Sequence, residues 1–275
     1  MRRPSLRTAV AALAVATLVA AGCGDDDDTA DADPTDEADG SGTAGGSGDG
    51  AYCAATLAVE TAPEPEIDFP TATEEEIAAG MQDWADQTLR PLVDDVVAVT
   101  PDEIREDIEV MTAAVDQVAA GDPSAFDVPD VVAASNRVHA YDLDTCGWTS
   151  QAVEATEYSF ADIPDEMAAG TTSFEFSNEG HEVHELILVR RNDGVTETAE
   201  ELLALPEDEA MAKVTMLGAP AFAPPGSSDY KVVDLEPGDY IAVCFIPMGM
   251  TGVDGPPPDG PPHFTQGMVA EFTVA

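Results

Sequence analysis

The pattern of apolar and polar positions along the chain changes near residue 150. In residues 51–150, apolar side chains recur at the three- and four-residue spacing of amphipathic helices. One such stripe comprises Ile104, Ile108, Met111 and Val115. Helix starts are predicted at Thr73 and Thr100, because each is followed three residues later by glutamate, as in a capping box, and Gly121 predicts a stop. With one more helix predicted over Pro129–Tyr141, we expect a small antiparallel helical bundle.

Residues 151–275 show the alternation of β-strands instead. Strands are predicted over 171–178, 184–191, 230–235, 239–245 and 267–274, with glycine and proline between them. A helical insertion over about Thr198–Leu217 interrupts the series. Short strands at this spacing predict an all-β sandwich. The predicted fold class is therefore mixed, with an all-α bundle domain (51–150) followed by an all-β domain (151–275).

The first 22 residues have the composition of an export signal. Three arginines precede an apolar run over Thr8–Gly22, which is too short to cross a bilayer as a helix and is typical of a secretory signal peptide. The run ends in "VAAGC", which resembles a bacterial lipobox, and "RRPSLR" resembles a twin-arginine export motif. The lipobox resemblance implies a multiply acylated Cys23, a stable membrane anchor and a location on the outer face of the cytoplasmic membrane.

The segment 23–50 contains small and acidic residues without apolar periodicity, and it is predicted to be a disordered tether. Acidic residues also dominate the whole chain, whose formal net charge is −45. Such a surface repels nucleic acid and anionic headgroups, so no nucleic-acid partner is expected. Two interpretations of the charge stay open: adaptation to salt or solubility, and steering of a cationic partner.

Four cysteines divide into three roles. With Cys23 assigned to lipid, Cys53 and Cys146 lie at the two ends of the bundle, and an oxidising compartment would join them in a disulfide. This segment also resembles a helical module of secreted actinobacterial proteins that is bounded by an early cysteine and a late "CGW". A scaffold or spacer is the role expected for it. Cys244 is then unpaired, and it is either a hazard or a ligand.

Two histidines, one cysteine and one methionine are expected to lie together at one end of the sandwich. Strand alternation places His184 on the leucine-bearing face of its strand and Cys244 on the Tyr240 face. His263 and Met268 lie just before and at the start of the last strand. Two imidazoles, a thiolate and a thioether are the ligands of a blue-copper site, in which a His₂Cys plane has a weak axial methionine.

The same residues carry a family resemblance over about the last 125 residues. "FEFSNEGHEVHEL", "PGDYIAVC" and "HFTQGM" resemble the segments of a cupredoxin, the group of plastocyanin and azurin. They would deliver His184, then Cys244, then His263 and Met268, in the family's order. The resemblance implies a Greek-key sandwich with one type 1 copper ion, used for electron transfer or copper handling. It also implies a redox or copper-exchange protein as partner and an exposed His263 edge as the electron exit.

A metal-free binding module and an enzyme are the two alternatives to copper binding. The 18-residue segment 245–262 is longer than the family's ligand loop, which also fits a metal-free cupredoxin-fold module that acts through protein contacts. Met248 and Met250 in this loop either pack or provide a route for Cu(I), and Cys244 could be a small buried hydrophobe. An enzyme is not predicted, because the chain has four histidines and no Gly-x-Ser-x-Gly motif, and a nucleophilic thiol needs a lowered pKa. His181 is expected to be exposed.

Overall fold

The computed structural model describes residues 47–65, 67, 72–252 and 257–275. The predicted signal peptide (1–22), the predicted lipidation site Cys23 and most of the predicted tether (23–50) lie outside the described residues. Within the described part, no helix has both the length and the apolar character that a bilayer span requires.

Five helices make up the first part of the described chain. They are α1 (Ser47–Glu60), α2 (Glu74–Trp84), α3 (Arg90–Val99), α4 (Arg105–Ala119) and α5 (Pro129–Cys146). A π-helical turn over Ala85–Leu89 joins α2 to α3, and a 3₁₀ turn over Pro123–Asp127 precedes α5.

Helix starts follow the sequence prediction in one place and depart from it in two. The capping box of α2 is present: the Thr73 amide and the Glu76 carboxylate are 2.8 Å apart. The start predicted at Thr100 is wrong, because the Thr100 hydroxyl donates to the Val96 carbonyl at 2.6 Å at the end of α3, and α4 begins only at Arg105. Helix α1 begins at Ser47, inside the segment predicted as tether, since extending a formed helix by one turn is easier than nucleating one.

The disulfide between Cys53 and Cys146 is present, as the sequence predicts. It joins α1 to the last residue of α5, with a Cα–Cα distance of 5.4 Å and a sequence separation of 93. Beside it, buried side chains of four helices form one core, namely Tyr52, Val96, Ile104, Ile108 and Val138. Gly147 then ends α5 with φ +66°, a left-handed conformation that glycine adopts without strain.

The remaining chain forms two packed sheets. Its strands are β1 (Thr149–Thr156), β2 (Ser159–Ala161), β3 (Glu166–Met167), β4 (Gly170–Asn178), β5 (His184–Arg191), β6 (Val214–Met216), β7 (Ala221–Ala223), β8 (Ser228–Leu235), β9 (Gly238–Val243) and β10 (Val269–Val274). The strand order is β2-β1-β4-β8 in one sheet and β3-β10-β9-β5-β6 in the other, and β7 also pairs with β5. The pairs β1–β4 and β3–β10 are parallel, so both sheets are mixed.

The predicted strands and the predicted insertion differ in how well they match. The five predicted strands match β4, β5, β8, β9 and β10 to within two residues at each end, and Cys244 directly follows β9. The sequence missed β1 and the short strands. The predicted helical insertion is two five-residue helices, α6 (Ala199–Leu203) and α7 (Glu207–Met211), followed by β6.

The core between the sheets contains the faces that alternation predicted. Phe174 and Phe176 of β4 belong to the same buried cluster as Leu186 and Leu188 of β5, and Cys244 belongs to it as well. The opposite face of the second sheet carries Val189, Ile241 and Val243, and α6 covers this face with Ala199 and Leu202. Residues 184 and 244 therefore lie on the inward side of their sheet.

The helices pack on the outer face of the four-stranded sheet. The His139 ring stacks on Tyr230 at a centroid distance of 3.6 Å, and its Nε2 lies 2.9 Å from Glu175 Oε1. Ser135 Oγ lies 3.0 Å from the Tyr230 hydroxyl oxygen. Helix α5 thus contacts β4 and β8 on the side away from the sandwich core.

Candidate metal centre

Four different elements place the predicted ligand residues. His184 is the first residue of β5, where it pairs with Ala223 of β7, and Cys244 follows the last residue of β9. His263 begins a 3₁₀ turn that spans His263–Gln266, and Met268 directly precedes β10. All four side chains have a relative exposure of 0%. The fold therefore brings them together in the interior of the sandwich.

The donor atoms of three of these residues converge. His184 Nδ1 and His263 Nδ1 are 3.1 Å apart, and Cys244 Sγ lies 3.5 Å from His263 Nδ1. The three possible ligand atoms all lie within 4.8 Å of one another. His263 Nδ1 thus faces both the His184 ring and the thiol sulfur, and the three donors lie as close together as ligands of one ion.

The long segment 245–262 leaves this geometry intact, because its two ends are joined beside the site. An isolated β-bridge pairs Pro247 with Pro262. Backbone hydrogen bonds run from His263 N–H to Ile246 C=O (2.9 Å), from Phe264 N–H to Cys244 C=O (3.0 Å) and from Met248 N–H to Pro261 C=O (3.0 Å). The position of His263 relative to Cys244 is therefore set by short local contacts at the two ends of this segment.

Met268 is tied to the same two residues through its main chain. The Cys244 N–H donates to the Met268 carbonyl at 3.3 Å, and the Met268 N–H donates to the His263 carbonyl at 3.4 Å. Met268 and Met250 both belong to the hydrophobic cluster that contains Cys244. Met250 also accepts the Val183 N–H at 2.7 Å, so the packing interpretation fits this residue.

Burial sets the protonation of the three donors. It lowers the pKa of His184 to about 4, with a further contribution from His263. Burial also lowers the pKa of His263, although a hydrogen bond to Glu182 opposes this shift. Burial raises the pKa of the Cys244 thiol well above its usual range, and the nearby Glu185 carboxyl adds to the effect. At neutral pH the imidazoles are uncharged and can coordinate, whereas the thiol keeps its proton until a cation displaces it.

The expectation that His263 is exposed is wrong. Its ring is fully buried, its Nε2 lies 2.9 Å from Glu182 Oε2, and the Tyr158 ring meets it edge-on at 5.0 Å. The physical reason is that Glu182 of the β4–β5 connection and Tyr158, between β1 and β2, both contact this ring. Glu182 was not singled out as a partner of His263, because it is one acid among many in a loop, 81 residues away in sequence.

A second acid that sequence reasoning missed lies behind the thiol. Glu185 is 5% exposed and accepts the Phe245 N–H at 2.8 Å, and burial raises its pKa to about 7. His181 is exposed, as expected, and its backbone N–H donates to the Glu157 carboxylate. The next histidine differs, since His184 Nε2 is buried and has no hydrogen-bond partner among the described residues.

The donor set fits copper. The site offers two neutral imidazole nitrogens, one thiol sulfur and a buried thioether. This set matches a trigonal His₂Cys copper site with a weak axial methionine, in which the soft sulfur ligands favour copper. The buried thiol fits a nucleophile poorly, because a nucleophilic cysteine needs a lowered pKa and the burial of Cys244 raises it.

No protein-family model and no curated protein matches the chain. Among solved structures, the chain is similar to reduced auracyanin from Roseiflexus castenholzii (22% identity, TM-score 0.29, covering 46% of this chain and 97% of that one). It is also similar to auracyanin A, a "blue" copper protein from Chloroflexus aurantiacus (20% identity, TM-score 0.28, covering 46% of this chain and 99% of that one). A third similar structure is a copper-containing nitrite reductase from Thermus scotoductus (13% identity, TM-score 0.25, covering 46% of this chain and 31% of that one). These scores are too low to place the chain in a family, so the functional interpretation depends on the site itself.

Proposed function

We propose that the strand-rich part of this chain is a cupredoxin-like domain that holds one copper ion. His184 Nδ1, His263 Nδ1 and Cys244 Sγ are the strong ligands, and Met268 is the weak axial one. The observation that carries the proposal is the convergence of three donor atoms within 4.8 Å, with all three side chains fully buried beside the apolar core cluster of the sandwich.

Copper bound at such a set supplies one-electron chemistry, because thiolate and thioether ligands suit both Cu(II) and Cu(I). The chain's own contribution is to hold the donors still and to exclude water. The backbone bonds among residues 244, 263 and 268 orient two of the strong ligands, and the pairing of β5 with β7 and β9 orients the third. Little rearrangement is then needed between the two oxidation states, which suits electron transfer or copper handling.

The location and partners belong to the same proposal. The export signal over residues 1–22 and the lipobox-like "VAAGC" support attachment to the outer face of the cytoplasmic membrane by lipid on Cys23. The acidic tether would keep the folded part a short distance from the bilayer. The proposed partner is a redox or copper-exchange protein, and the net charge of −45 favours one with a cationic face.

A copper titration with a matched variant tests the metal site. The purified full chain, mildly reduced, receives one equivalent of Cu(II), and the visible spectrum is recorded beside that of Cys244→Ser. We expect an intense blue thiolate-to-copper band in the natural protein and none in the variant. If the natural protein shows no band and Cys244 reacts slowly with thiol reagents in the folded state, the cysteine is a core residue. The domain would then be a metal-free module that acts through protein contacts.

A further inference from the structure

Glu182 connects the candidate ligand His263 to the long loop. Its Oε2 lies 2.9 Å from His263 Nε2 and 2.7 Å from the Gly249 backbone nitrogen, so a single oxygen accepts from both. Its Oε1 lies 3.4 Å from the Tyr158 hydroxyl. The side chain is only 17% exposed. Glu182 is therefore a fixed, largely buried acceptor on the outer side of the His263 ring.

The backbone of Glu182 is held from both directions, so the carboxylate does not reach the ring by chance rotation of a free loop. The Asn178 amide donates to the Glu182 carbonyl at 2.8 Å, and the Glu182 N–H donates to the Glu157 carboxylate at 3.1 Å. The next residue, Val183, donates to the Met250 carbonyl at 2.7 Å. The β4–β5 connection and the 245–262 loop are thus joined through this short segment.

The contact determines which nitrogen of His263 carries the proton. A carboxylate only accepts hydrogen bonds, so Nε2 must donate, and Nδ1 is left with its lone pair. That lone pair faces His184 Nδ1 at 3.1 Å and Cys244 Sγ at 3.5 Å, where the ion would lie. The other tautomer would point an N–H at the metal position. A carboxylate on the remote nitrogen of a ligand histidine also raises the basicity of the coordinating one.

We infer that Glu182 is a positioning residue for the metal centre: it fixes the coordinating tautomer of His263 and holds the backbone at Gly249 on the same carboxylate oxygen. This inference rests on the proposed function and deepens it. The second imidazole is then backed by a negative charge and shielded from solvent, which favours the more highly charged Cu(II). The expected consequences are tight binding of Cu(II) and a reduction potential lower than that of the same site without the carboxylate.

The test compares Glu182→Gln with Glu179→Gln in the full chain. Both variants remove one negative charge from the β4–β5 connection, but Glu179 is exposed and its side chain makes no hydrogen bond or ion pair with the described residues. We expect Glu182→Gln to weaken Cu(II) binding by about 10–100-fold, the usual effect of losing such a partner, and to raise the reduction potential. Glu179→Gln should stay close to the natural protein in both. Competition with a chelator measures the binding, and equilibrium redox titration measures the potential.

Nitrogen NMR of the copper-free protein adds a measurement that does not need the metal. We expect His263 to carry its proton on Nε2 in the natural protein, and both tautomers to be populated in Glu182→Gln, since an amide can accept or donate. A proton on Nδ1 in the natural protein would overturn the inference, and so would equal copper binding and potential in the two variants. If the natural protein takes up no copper, the proposed function falls as well. If it binds copper but Glu182→Gln behaves like Glu179→Gln, only the role of Glu182 falls.

Discussion

Replacing Asn178 with alanine should loosen the segment that carries Glu182 and His184. The Asn178 side chain is 1% exposed and makes three hydrogen bonds to main chain: its amide donates to the carbonyls of Glu182 (2.8 Å) and Ala223 (2.7 Å), and its oxygen accepts the Gly180 N–H (2.8 Å). At about 1 kcal/mol net for each bond, Asn178→Ala should lower the free energy of unfolding by about 3 kcal/mol. Desolvated partners left unpaired would make the loss larger.

Urea denaturation of the copper-free protein, followed by circular dichroism, measures this loss, provided that the dependence on urea is unchanged. The matched control is Asn192→Ala. Asn192 also bonds through both ends of its amide, to the Ala212 carbonyl (3.2 Å) and the Thr215 hydroxyl (2.7 Å), but the residue is only half-buried and both bonds are exposed, so water can replace both partners. We expect the control to lose less than about 1 kcal/mol. Equal losses in the two variants would refute the argument that buried amide bonds hold the segment in place.

Three further predictions concern the loop base, the disulfide and a buried acid. Gly260→Ala should lower the free energy of unfolding by about 1–3 kcal/mol and weaken copper binding, because the new Cβ would collide with the Met248 carbonyl oxygen. The control Gly252→Ala places its Cβ in open space, so the same urea and copper titrations should show neither effect. Reducing the disulfide of α1 and α5 should destabilise the helices by about 4 kcal/mol, given the loop of 93 residues, and circular dichroism melts with and without reductant would show no difference if the loop argument is wrong. Burial raises the pKa of Asp142 to about 6, so the folded protein binds the extra proton and its stability falls as pH rises from about 4 through 6. Asp142→Asn should remove this fall and gain up to about 3 kcal/mol above about pH 7, and parallel stability–pH curves for the two proteins would contradict the assignment.

Local patterns in the sequence were sufficient for much of the fold. The alternation over 184–191 and 239–245 puts His184 on the face of Leu186 and Leu188, and Cys244 on the face of Tyr240 and Ala242. These are the faces that turn toward the other sheet. The positions of Cys53 and Cys146 at the two ends of the predicted bundle likewise predicted their disulfide.

Local patterns failed where a competing contact overrides them. Thr100, Pro101 and Glu103 have the spacing of a helix start, yet the Thr100 hydroxyl bonds backwards to Val96 and the new helix begins later. The length of the segment between Cys244 and His263 left a metal-free module open as an alternative. In the structure, main-chain hydrogen bonds join the two ends of that loop. Such bonds do not depend on the type of side chain, so the sequence does not predict them.

By itself, the sequence determined which residue types were available, the order His, Cys, His, Met, and which side chains share a face of each strand. These features depend on neighbours a few positions away. Only the tertiary structure decided that His263 Nδ1 faces both the His184 ring and the thiol sulfur, that His263 is buried, and that Glu182 binds its outer nitrogen across 81 positions of chain. The reason is that such contacts depend on how sheets and loops pack. The residues next to a given position in the sequence carry no pattern that identifies a partner so far away in the chain.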